Sequence, residues 1–83
     1  MYLIHDEEMK LKKAKIRPDL IKQGLRPPVT YEDGRKGFLS SHDDLTVLAM
    51  SDGEPISELS EANCLVRNQH GRLAYVYSID LGF

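Results

Sequence analysis

Apolar residues fall in short runs separated by turn signals. Leu45-Thr46-Val47-Leu48-Ala49-Met50 is a six-residue, mostly apolar run closed by Ser51-Asp52-Gly53. Its length and the Asp-Gly stop predict a strand. Residues 64–67 and 73–79 flank Asn68-Gln69-His70-Gly71, which reads as a hairpin with glycine where a positive φ is needed. In 73–79, Leu73, Tyr75, Tyr77 and Ile79 share one face and Ala74, Val76 and Ser78 the other. Both faces are largely apolar, which predicts a strand central to its sheet, with Tyr75 and Tyr77 in the core and their hydroxyls at the rim. Val29-Thr30-Tyr31 and 35–39 bracket Glu32-Asp33-Gly34, a second hairpin signal. Residues 55–62 suit either a helical turn starting at Ser60-Glu61 or an irregular strand anchored by Ile56 and Leu59.

Nearer the N-terminus the pattern is less regular. As a helix, 9–16 would set Met9 and Ile16 on one side and Leu11 and Ala14 on the other, so no apolar stripe forms. With period two, Met9 and Leu11 oppose Lys10 and Lys12. The pattern slips at Lys12-Lys13 and resumes with Ala14 and Ile16 against Lys15 and Arg17. A strand with a bulge at the slip accounts for this, and solvent-facing lysines protect an edge strand from further pairing. The same residues are good helix formers, so helix stays open as the alternative. Pro18 suits a first helical position and Gly24 a C-terminal cap, predicting one helical turn over 18–23. The fold expected is mainly β, with α+β as the alternative: a single domain, 1–83, built as a small, strongly bent antiparallel sheet or Src-homology-three-like barrel of five or six short strands.

Composition narrows the class. With 83 residues, 41% hydrophobic and 29% charged, the chain fits one globular domain. Cys64 is its only cysteine, so no internal disulfide forms, and a lone thiol suits a reducing compartment. MYLIHDEEMK turns acidic where a signal peptide stays apolar, and no run approaches the ~20 apolar residues of a membrane span. The expectation is a cytoplasmic protein with no membrane, cofactor or metal requirement.

Charge adds an asymmetry. Residues 1–36 carry +3 and residues 37–83 carry −5 within a net −2. Over 10–26, Lys10, Lys12, Lys13, Lys15, Arg17, Lys22 and Arg26 face only Asp19. These seven form the candidate partner-binding edge. Tyr31, Arg35, Lys36 and Phe38 are candidates for nucleic-acid contact, the aromatics by stacking on bases and the cations by meeting phosphates.

Catalytic chemistry is thin. Ser40-Ser41-His42-Asp43-Asp44 sets hydroxyl, imidazole and carboxylates side by side, but neighbours in sequence point apart and these are ordinary turn residues. His5, His42 and His70 are too scattered for a metal site. Gly34-Arg35-Lys36-Gly37 matches the G-x-x-G of KH loops but lacks the flanking helices, so a hairpin is the expectation.

From Leu45 to Phe83 the pattern resembles the opening half of the PRC-barrel family, through Asp52, Gly53, Glu54, Ile56, Val66, Gly71, Arg72, Ala74 and Tyr75. Ser57 departs from that family's usual glycine, and Glu61-Ala62 from its acidic-leucine pair. The resemblance implies a non-catalytic docking barrel of the kind that services ribosome assembly or membrane photochemistry, and it does not identify a ligand.

Three functions follow as expectations. The first is a non-enzymatic binding or regulatory protein that docks on a protein or ribonucleoprotein, by the basic edge or the acidic face opposite. Its compactness suits a phage or mobile-element inhibitor, and an edge strand allows homo-oligomers. The second is direct nucleic-acid binding by the basic 10–36 segment, against which stands a pI near 5.8. The third, a small enzyme, rests on 40–44 alone.

Overall fold

The structure is a computed structural model that describes the backbone of residues 2–3 and all of residues 12–83. Its strands are β1 (Tyr2–Leu3), β2 (Lys12–Ile16), β3 (Pro28–Tyr31), β4 (Lys36–Phe38), β5 (Leu45–Met50), β6 (Cys64–Arg67), β7 (Leu73–Val76) and β8 (Leu81–Gly82). One short helix, α1 (Pro18–Lys22), and a 3-10 turn at Ser78–Asp80 complete the described elements. Seven strands follow the order β4-β3-β7-β6-β5-β2-β8, and β1 pairs with β5. Every strand pairing among the described residues is antiparallel, so the mainly β expectation holds with more strands than the five or six foreseen.

One core joins strands from across this path: Ile16, Val29, Leu45, Val47, Val66, Val76 and Leu81 belong to a single buried cluster. A lone sheet can gather residues from its opposite ends only by curling around them. Alternation decides which side chains go in. On β6 and β7, Cys64, Val66, Ala74 and Val76 are buried while their neighbours are not. On β5 the register shifts between Val47 and Ala49. One extra residue there reverses the parity, so that Met50, opposite Cys64, packs on the core rather than Ala49.

That bulge is not where the sequence pattern put it. Lys12, Lys13 and Ala14 pair in regular register with Val47, Thr46 and Leu45. Lys12–Ile16 is strand, with Ala14 and Ile16 inward and the lysines outward, whereas Met9, Lys10 and Leu11 lie outside the described residues. Nor is β2 the last strand of the sheet, because Lys15 and Ile16 pair with Gly82 and Leu81 of β8.

The strand expected over 73–79 also ends early. The backbone N–H of Ser78 donates to Asn63 Oδ1 at 2.9 Å, and Asp80 N–H to the Tyr77 carbonyl at 3.0 Å, which turns the chain out of the ladder. Tyr75 and Tyr77 are then on the outer side of the sheet rather than in the core, opposite in direction to Ala74 and Val76. The two hairpins form as expected. Gly34 at φ +88° and Gly71 at φ +81° occupy their tips, a region that penalises any Cβ. Asn68 Oδ1 accepts from the N–H groups of His70 and Arg72, closing the second turn.

Candidate functional site

The outer face of the sheet carries a broad concavity. Cross-strand register puts Thr30 opposite both Lys36 and Tyr75, and Pro28 opposite Phe38. These residues face away from the core that Val29 and Ala74 enter. Over them lies the β5–β6 connection, residues 51–63, which holds no helix and only one isolated bridge, Ser57 to Ser60. Between this lobe and the sheet is a cleft of about 1210 Å³. Pro28, Phe38, Tyr75 and Tyr77 line the sheet side; Pro55, Ile56 and Leu59 line the lobe side.

Asn63 fixes the lobe at its base. Its buried side chain donates from Nδ2 to the Ser51 carbonyl at 2.8 Å and to Ser78 Oγ at 2.9 Å, while Oδ1 accepts from Ser78 N–H. Ser51 N–H in turn donates to the Asn63 carbonyl at 2.9 Å, and Ser51 Oγ to the Glu54 carbonyl. A connection with no regular structure of its own is thereby tied to both β5 and the turn after β7.

The lobe is acidic. Residues 51–63 include Asp52, Glu54, Glu58 and Glu61 and no lysine or arginine. Glu54, Glu58 and Glu61 all line the cleft and are exposed, and none is in an ion pair among the described residues. Among the described residues one cation faces them, Lys36, beside Phe38, which is 61% exposed.

The basic strip is arranged differently. Lys13 Nζ donates to Thr46 Oγ1 at 2.9 Å, and Lys15 Nζ meets Asp44 Oδ1 at 3.0 Å. Arg17 holds Asp19 through both Nε and Nη2 and donates from Nη1 to the Ile79 carbonyl. That bidentate grip holds the Asp19 carboxyl below its ordinary pKa. Lys12 lies 5.6 Å from the Phe83 ring centre, and Arg26 Nε donates to the Leu39 carbonyl. Lys22 is exposed with no partner among the described residues, and Lys10 lies outside them.

Nor do the four candidates for nucleic-acid contact share a surface. Lys36 and Phe38 face the cleft. Tyr31, opposite Ala74, packs against the core, with the Arg72 guanidinium 3.7 Å from its ring centre. Arg35 Nε lies 3.4 Å from Asp33 Oδ2, so its charge is locally met.

The residues of 40–44 serve a turn. Ser40 Oγ accepts from His42 N–H, Asp43 Oδ2 from Ser40 N–H, and Gln69 Oε1 from Asp44 N–H. Cys64 is fully buried, and burial pushes its thiol up to about 11, far from the thiolate range of a nucleophile. No cluster of three metal-ligating side chains occurs among the described residues, and no described helix is long and apolar enough to cross a membrane. Comparison of the chain with protein-family models, curated proteins and solved structures finds no match.

Proposed function

We propose that this chain is a non-enzymatic docking protein that seats a protein partner, free or within a ribonucleoprotein, in the cleft beneath the acidic lobe. The observation that carries this reading is the pairing of exposed apolar surface (Phe38, Leu59, Tyr77) with three glutamates that have no ion-pair partner among the described residues. Concave, largely apolar sites with a few convergent charges are where proteins bind ligands and peptides. A PRC-barrel kinship for 45–83 implies the same class of role.

The test is a pull-down of tagged wild-type and variant protein from native host lysate, with and without nuclease, at moderate salt. Phe38→Ala with Glu58→Lys changes two exposed cleft residues, and Lys13→Glu with Lys15→Glu reverses the strip. The expected result is a protein that survives nuclease, is retained by the strip variant and is lost by the cleft variant. Loss of all captured protein on nuclease treatment, with binding abolished only in the strip variant, means direct nucleic-acid binding instead.

A further inference from the structure

We infer that the occupant of this cleft is a basic, proline-containing peptide segment bound in an extended polyproline II conformation. The inference rests on the docking reading above and names the chemistry of the partner.

Charge sets the first requirement. Glu54, Glu58 and Glu61 stand on one wall and, among the described residues, Lys36 is the one cation on the other, so the cleft favours a segment carrying lysine or arginine. The sheet wall sets the second. Phe38 and Tyr77 present exposed rings, with Pro28 beside Phe38 in register. Aromatic faces with a tyrosine hydroxyl at hand accept flat, rigid apolar groups, and proline supplies these at small ordering cost.

Backbone hydrogen bonding sets the third. The nearest open sheet edge is β4, which is three residues long, so a strand added there would gain few ladder bonds. Polyproline II has no internal hydrogen bonds and keeps its backbone solvated, so it loses little in a site poor in backbone partners. Aromatic-lined grooves that read such segments are a general recognition mode.

A random-peptide library displayed and selected on the wild-type protein tests this, with counter-selection on Phe38→Ala and on Glu58→Lys/Glu61→Lys. All three residues are exposed, and thermal melts establish that each variant is folded. The expected yield is sequences enriched in proline and in lysine or arginine. A labelled probe peptide of repeated Ala-Pro-Pro units ending in Lys-Arg should bind in fluorescence anisotropy. Its affinity should fall about tenfold or more in the double glutamate variant, and not in Lys13→Glu/Lys15→Glu. Binders that need Phe38 but lack proline or basic residues overturn the inferred occupant and leave the docking reading standing. If no selected peptide depends on the cleft residues, both are overturned.

Discussion

The basic strip of β2 and α1 and the acidic lobe over the sheet carry opposite charge and differ more in what that charge does. In the strip, Lys13, Lys15, Arg17 and Arg26 each reach a partner within the chain: Thr46, Asp44, Asp19 and the Leu39 carbonyl. In the lobe, Glu54, Glu58 and Glu61 reach no cation among the described residues. A dense run of like charge in sequence is therefore a poor guide to an available charged surface. Charges beside paired strands find carbonyls and neighbouring carboxylates, whereas Glu54, Glu58 and Glu61, on an overhanging loop, are exposed and make no ion pair among the described residues.

The sharpest way to break this contrast is to release the lobe. Asn63→Ala removes three hydrogen bonds at a buried site and leaves Ser51 O and Ser78 N–H without them. At about 1 kcal/mol per bond plus the cost of unsatisfied buried groups, the loss should be about 3 kcal/mol. For a chain of this size that lowers Tm by roughly 10–20 °C. Ser78→Ala removes only the hydroxyl partner and should cost about 1 kcal/mol. Urea melts of the two variants check the order. If Asn63→Ala costs no more than Ser78→Ala, the lobe is not held by Asn63 and the cleft has no fixed wall.

A smaller effect is expected in the strip. Lys15 and Asp44 are each 64% exposed, and exposed pairs contribute about 0.2–1 kcal/mol. Lys15→Ala should therefore lower stability by less than about 1 kcal/mol, and high salt should erase most of the difference. A loss several times larger in urea melts would make the strip a structural element in its own right, and the contrast between the strip and the three cleft glutamates would need another basis.

The sequence pattern made the hairpins, α1 and the inward residues of β2 legible, because period-two alternation and Asp-Gly or Asn-x-x-Gly turns are local signals. It misplaced the bulge, since the slip at Lys12-Lys13 and the parity change in β5 both answer a demand that only the paired strand reveals. Tyr75 and Tyr77 looked like core for a related reason. Their strand is apolar on both faces, and nothing local says that Ala74 and Val76 point inward. The cleft was illegible because Pro28, Phe38, Tyr75 and the lobe meet only through the order β4-β3-β7. One signal was present. Residues 51–63 form a long connection between paired strands and are acidic without a single base, and long irregular loops in small domains tend to be functional.

The smallest effect concerns Asp80, where the strip meets the 3-10 turn before β8. Partial burial raises the pKa of its carboxyl, and Arg17 pulls it back only in part. An acid whose folded pKa lies above its unfolded value binds its proton more tightly when folded. Its contribution is thus favourable at low pH and is lost as pH rises through the carboxylate range, up to the folded pKa. Asp19 runs the other way: its lowered pKa adds stability above the unfolded value that is lost on acidification. Asp80→Asn cannot ionise, so it should raise the urea midpoint slightly at pH about 7 and change little at pH about 3, where the wild-type carboxyl is protonated. A gain equal at both pH values would mean that ionisation of Asp80 is not what opposes folding. A loss at neutral pH would mean that the Asp80 charge is matched by Arg17, making this carboxylate one more paired member of the strip.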